Sequence, residues 1–248
     1  MKKLTVTLLV SSLLFSQYAK ADALGLTVGV DFWQINPDVT TGDTGNTAEL
    51  SVGDQHEMRL FGRFEHPIPF LPNLAVSYQN LSFDGSTTLS GAWQLDGRAY
   101  TANTLVTTNT TVKQADITAY YEVLDNDVVD LDMGITGRLL RSETFASSAS
   151  LKANADFSAP LPMVYARADI SILGTKTHLF ADGNYTSYSD NRWMDARVGI
   201  MYDLIDFPVI TGSLSAGMQL SDGQLFNEDG LDADYHFNGL FAGVQFDF

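Results

Sequence analysis

An all-β chain folded as a transmembrane, up-and-down antiparallel barrel of about ten strands is predicted by three features of the 248-residue sequence. Apolar and polar residues alternate with period two along most of it. Short and long connections interleave. After the N-terminal segment, no stretch approaches the run of about 20 apolar residues that a spanning helix needs, so any crossing must be made by strands.

The N-terminus sets the compartment. Lys2 and Lys3 precede an apolar run from Leu4 to Phe15, and Ala19-Lys20-Ala21 supplies small residues at the spacing a signal peptidase accepts. Residues 1–21 therefore read as a cleaved signal peptide and residues 22–248 as an outer-membrane barrel of a Gram-negative cell.

A strand between lipid and a polar lumen places apolar side chains on one parity and polar or small ones on the other. Leu24, Leu26, Val28, Val30 and Phe32 alternate with Gly25, Thr27, Gly29 and Asp31, and Trp33 closes the segment as an interface anchor. Met58, Leu60, Gly62 and Phe64 oppose Glu57, Arg59, Arg63 and Glu65. Further segments follow at 74–83, 116–123, 129–139, 163–172, 179–185, 195–202 and 212–220. The last runs through Leu240, Ala242, Val244, Phe246 and Phe248. Ten strands return both ends to one side, as single-chain bacterial barrels require.

Connections near 66–73, 124–127, 173–175 and 203–208 are short, whereas those near 37–53, 85–113, 142–160 and 221–234 are long. Only the connection near 189–193 breaks this alternation of periplasmic turns and external loops. Pro67, Pro69 and Pro72 fall in a turn, where a missing N–H costs no ladder bond. A soluble sandwich or lipocalin-like barrel would alternate too, with its apolar parity inward. The glycine-rich, charged parity and the terminal aromatic residue favour the inverted arrangement.

Lys and Arg total 14 against 30 Asp and Glu; without Lys2, Lys3 and Lys20 the balance is 11 against 30, or −19. Nucleic acid needs a basic footprint and is excluded as a partner. The absence of cysteine removes disulfides and thiolate metal sites.

Charged residues on the inward parity are the candidate site: Glu57, Arg59, Arg63, Glu65, Asp116, Glu122, Asp130, Asp132, Arg138, Arg167, Asp169, Asp182, Asp195 and Arg197. Side chains nearly fill an eight-stranded barrel, and ten strands are only slightly wider. The set therefore reads as a plug of salt bridges, and any surviving pore would prefer cations. The expected role is structural or that of a narrow, weakly cation-selective, porin-like pathway.

The terminal strand FNGLFAGVQFDF resembles the last strand of outer-membrane β-barrel proteins. The resemblance implies that Leu240, Val244, Phe246 and Phe248 form the signal read by the barrel-assembly machinery, with periplasmic chaperones as earlier partners and membrane lipid and lipopolysaccharide as the final surroundings. Together with ALGLTVGVDFWQ, FEHPIPFLPN and YYEVLDNDVVDLDMG, it is similar to a family of uncharacterised proteobacterial outer-membrane proteins of about this length. That likeness implies location and fold and carries no catalytic motif.

The alternative is an outer-membrane enzyme, an omptin-like protease or lipid-modifying hydrolase, with its site at the external rim. His236 beside Asp232 and Asp234 is the residue that raises it. Its parity matches Leu240 and Val244, however, and points outward. His56, His66 and His178 share no metal-site spacing. Ser147, Ser148 and Ser150 lack a nucleophile elbow, and Glu228, Asp229, Asp232 and Asp234 lack the spacing of a calcium loop. No catalytic residue, metal ligand or cofactor is assigned.

Overall fold

The computed structural model describes residues 24–248; the expected signal peptide, residues 1–21, lies outside them. Its strands are β1 (Gly25–Asp43), β2 (Asn46–Leu50), β3 (Gln55–Glu65), β4 (Asn73–Thr88), β5 (Trp93–Leu95), β6 (Arg98–Tyr100), β7 (Leu105–Asp125), β8 (Val129–Ser147), β9 (Lys152–Ile172), β10 (Thr177–Tyr188), β11 (Asn191–Phe207), β12 (Ile210–Glu228) and β13 (Leu231–Asp247). Omitting β2, β5 and β6, the other ten pair with their neighbours in sequence order, all antiparallel, and β13 returns to pair with β1. Leu26 and Phe248 exchange backbone hydrogen bonds of 3.2 and 2.9 Å, which seals the two ends of the chain together. Closure leaves no backbone edge facing hydrocarbon.

The alternation places side chains as the sequence predicts through the lower part of the wall. Phe32, Leu60, Tyr78, Ile117, Ile135, Leu139, Val164, Val198, Met218 and Leu240 face outward. They form one continuous apolar band, because the register sets Leu60 beside Tyr78 and Leu139 beside Ala115.

The expected long loops are mostly strand. β7 and β9 run 21 residues each, about twice the 9–11 that a tilted strand needs to cross a bilayer. The surplus rises beyond the apolar band as a crown. Connections that read as loops, 142–160 and 221–234 among them, are the walls of this crown, joined by short turns at 148–151 and 229–230. Asp229 and Gly230 have φ of +53° and +85°, the left-handed pair that a two-residue hairpin turn favours.

In the crown the two faces exchange character. On β1 the outward parity changes from Val28, Val30 and Phe32 to Gln34, Asn36 and Asp38, while the inward parity changes from Gly29 and Asp31 to Trp33, Ile35 and Val39. The same switch occurs on β13 between Leu240 and Asn238, with Phe237 and Tyr235 turned inward. Water replaces lipid outside, so the apolar side chains move inside. Trp33 is accordingly no interface anchor: it shares the parity of Asp31 and is 2 % exposed within the barrel. Tyr121, Tyr202 and Phe248, by contrast, face outward.

The connection between β4 and β7 folds into the mouth. Strands β5 and β6 form a hairpin turning on Asp96 and Gly97, and it buries Trp93, Leu95 and Tyr100 among Leu50, Phe83 and Val106. An isolated two-stranded hairpin is marginal in water. Burial at about 1.5–3 kcal/mol per large apolar side chain holds this one down. Trp93 Nε1 donates to the Thr41 carbonyl at 2.8 Å, and the Asp43 carboxylate accepts the Asp96 and Gly97 amides, each at 2.8 Å.

Candidate functional site

Below the crown the lumen is crossed by three arginines. Arg138 on β8 reaches Asp195 on β11 at 2.6 Å while gripping Asp116 on the adjacent β7. Arg197 on β11 reaches Asp31 on β1 at 2.8 Å, and Asp31 also accepts Arg59 at 3.0 Å. Arg63 on β3 spans to Asp132 on β8 at 3.0 Å and to Glu65 at 2.9 Å. The wall is too wide for short side chains to meet across it. The long guanidinium stems span that width, and their forked donors satisfy acids on opposite strands.

Aromatic rings seat these cations. Arg197 lies over Phe241 at 4.5 Å, Arg63 over Tyr120 at 5.4 Å and Arg138 over Trp193 at 5.7 Å. Tyr120 donates to Glu65 at 2.8 Å, and Trp193 Nε1 donates to Asp195 at 3.1 Å. Charge, ring and hydroxyl thus occupy the same cross-section. The cavity that remains at the level of Asp31, Arg59, Asp182 and Arg197 is about 60 Å³, space for a few waters.

The structure gathers most of the sequence-derived set. Arg59, Arg63, Glu65, Asp116, Asp132, Arg138, Asp182, Asp195 and Arg197 join the network of the three arginines, in which cross-lumen ties and pairs on neighbouring strands combine, with Asp182 at 3.6 Å from Arg197. Arg167 and Asp169 pair at 3.2 Å nearer the short-turn end of the barrel, where His178 lies between Asp169 and Asp203. Three members stand apart. Glu57 accepts the backbone amide of Ser82, Glu122 accepts from Asn73, and Asp130 lines a vestibule at the short-turn end of the barrel. That vestibule, about 420 Å³, is rich in acids that include Glu65, Asp169, Asp203 and Asp247.

Asp31, His178 and Asp203 were not selected from sequence. Asp31 carried the right signal, since its parity is that of Gly29, and it is 1 % exposed. The pairing of His178 with Asp203 depends on β10 lying beside β11, which parity alone does not specify.

Above the ties the bore is closed by the apolar core. Phe83, Phe237 and Tyr235 stack in sequence, with centroids 5.0 and 5.7 Å apart. The Tyr235 hydroxyl meets Ser142 at 2.6 Å. Tyr100, in the inserted hairpin, donates to the Ala146 carbonyl, and burial pushes its phenol pKa above the ordinary value. His236 faces outward, half exposed, with Nδ1 3.0 Å from Asp222, which also accepts Arg192 at 2.9 Å. Asp232 accepts the Gly45 and Asn227 amides, so it braces turns and is not free to serve His236.

A closed antiparallel wall of ten strands, apolar outside and polar within, defines an outer-membrane-type β-barrel. Among solved structures, the chain is similar to the outer membrane protease OmpT of Escherichia coli. That match has a TM-score of 0.54 and 8 % identity over 90 % of this chain and 97 % of that one. It is also similar to the transport unit of the autotransporter AIDA-I of Escherichia coli, with a TM-score of 0.45 and 8 % identity over 99 % and 96 %. A third similar structure is Ail, the attachment invasion locus protein of Yersinia pestis, with a TM-score of 0.39 and 8 % identity over 90 % and 98 %. The likeness is one of fold. No protein-family model and no curated protein sequence matches the chain, so the resemblance to proteobacterial proteins stands at the level of barrel architecture.

Proposed function

We propose that the chain is an integral protein of a Gram-negative outer membrane with a structural, non-conducting role, holding a rigid crown above the lipid surface. The single observation that carries this reading is the doubly filled lumen: arginine ties at membrane level, then an apolar core with a hairpin folded into it. At the level of Asp31 and Arg197 the ties leave a cavity of only about 60 Å³.

The outward apolar band supports membrane lipid and lipopolysaccharide as its surroundings. Leu240, Val244 and Phe246 project from the last strand, and Phe248 ends it, in keeping with recognition by the barrel-assembly machinery after periplasmic chaperones. The acid excess disfavours nucleic acid, and we assign no enzymatic activity. An omptin-like or lipid-modifying site at the rim has weaker support, because His236 and Asp222 face the outer surface, away from the lumen.

A narrow cation pathway is the second reading, favoured by the acid-rich vestibule. Planar-bilayer recording of the refolded mature chain separates the two. Silence, with unboiled and boiled protein migrating differently on a gel, is the expected outcome. Reproducible cation-preferring steps would overturn the non-conducting role.

A further inference from the structure

The crown is not closed all the way up. β10 pairs with β9 only from Ile172 to Val164, whereas β9 continues along β8 to Lys152. The short β10–β11 hairpin turns at 189–190, and nothing in the ladder takes its place above. Among the described residues, no backbone hydrogen bond joins Lys152–Leu161 to a strand other than β8.

Pro162, opposite Ser187, helps end the ladder, and Pro160 lies just past the end of β10. They pair with Leu139 and Gly137 of β8, and a proline can hold such a place only with its nitrogen turned from the partner. Pro162 lacks the donor that β10 would have used, and Pro160 lacks the next one along the edge. By the same parity, Lys152, Asn154, Asp156 and Ser158 direct their backbone N–H and C=O groups into the gap.

That edge borders a cleft of about 320 Å³, walled by Asn154 and Asp156, by the Asp96–Gly97 turn, by Asp43 and by the Asp229–Gly230 turn. The walls are braced: Thr44 donates to the Gly230 carbonyl at 2.9 Å, and Asp43 holds the Asp96 and Gly97 amides. Asp43 is occupied in this way, and Asp156 pairs with Arg141. Asp96 and Asp229 have exposed carboxylates, and no side-chain hydrogen bond or ion pair engages them among the described residues.

We propose that this external cleft captures an extended basic peptide segment of a partner protein, which adds as a strand to the free edge of β9 and sets its cationic side chains against Asp96 and Asp229. The edge supplies the affinity of main-chain hydrogen bonds, and the carboxylates select the charge. Pro160 and Pro162 limit the added strand to the top of the crown and keep the edge closed near the lipid surface. The reading does not depend on whether the lumen conducts.

The test uses the refolded full mature barrel, with heat-modifiable gel mobility as the folding control. Fluorescence anisotropy follows a short acetylated peptide alternating Arg and Val, against one alternating Glu and Val. The basic peptide is expected to bind, with affinity falling as salt rises, and the acidic one is not. Asn154→Pro removes an edge donor at a position equivalent to Pro160, so the barrel still folds while affinity falls about tenfold. Asp96→Asn with Asp229→Asn should also lose about tenfold and flatten the salt dependence; asparagine tolerates their positive φ. Equal binding of the two peptides, or unchanged binding by Asn154→Pro, overturns strand addition. Dimerisation abolished by Asn154→Pro would make a second copy the occupant and equally overturn the proposal.

Discussion

Arg138 grips Asp116 through two parallel hydrogen bonds, Nε to Oδ1 at 2.8 Å and Nη2 to Oδ2 at 2.7 Å, while its remaining arm crosses the lumen to Asp195. Arg138 is 3 % exposed and Asp116 is 8 % exposed. Removing the cation alone would therefore leave two carboxylates enclosed without their partner.

Arg138→Met should destabilise the barrel by about 3–5 kcal/mol, the cost typical of breaking a buried pair. Adding Asp116→Asn and Asp195→Asn should recover part of that loss, since neutral amides are cheaper to enclose. Urea unfolding of the refolded protein in lipid vesicles checks both. Equal stability of the single and triple variants would refute the account.

The outward band gives a contrast between two positions on one strand. Ile135→Arg places a charge in the middle of the apolar band of β8 and should cost about 2–4 kcal/mol. Glu143→Arg lies on the same outward parity in the crown and should change stability by no more than about 0.5 kcal/mol. Folding yield into vesicles, followed by gel mobility, distinguishes a lipid-facing band from a solvated one.

The inserted hairpin rests on Trp93, which is 1 % exposed. Trp93→Ala removes the largest side chain that it buries and should cost about 3–5 kcal/mol. The loss should be local, with amides of β5 and β6 exchanging faster while those of β8 below Leu140 keep their protection. Hydrogen exchange read by mass spectrometry would show this, and uniform loss of protection would contradict a separately docked hairpin.

At the seam between β1 and β13 the pairing lapses, without a shift of register, between the pairs Trp33–Phe241 and Asn36–Asn238. Gly239 occupies the interruption, and a Cβ there would run into the Gln34 carbonyl oxygen. Gly239→Ala should cost about 1–3 kcal/mol by overpacking and lower the fraction that closes. A heat-modifiable band as abundant as wild type would show that the seam can relax.

Much of the lower barrel was legible in the sequence because period-two alternation transmits directly into two faces. Glu57, Arg59 and Arg63 could not face lipid, and all three lie inside. The upper part was harder to read because its alternation is of the opposite sense. Trp33 and Ile35 continue the parity of Asp31, yet they are apolar, so a template of apolar-out strands ends at Phe32 and reports a loop. Asp229-Gly230 and Asp96-Gly97 were the local signals that tight turns, not loops, join these strands.

The sequence by itself determined the class of fold, the lower lipid-facing parity and the inventory of lumen charges, because each depends on residue order along one strand. Tertiary structure alone decided which charges meet across the bore, where the hairpin between β4 and β7 lies and that β9 keeps a free edge. Those depend on strands far apart in the chain. Arg197 finds Asp31 only when β13 closes on β1, and the gap beside β9 opens because β10 turns back at 189–190 while β9 runs on along β8 to Lys152.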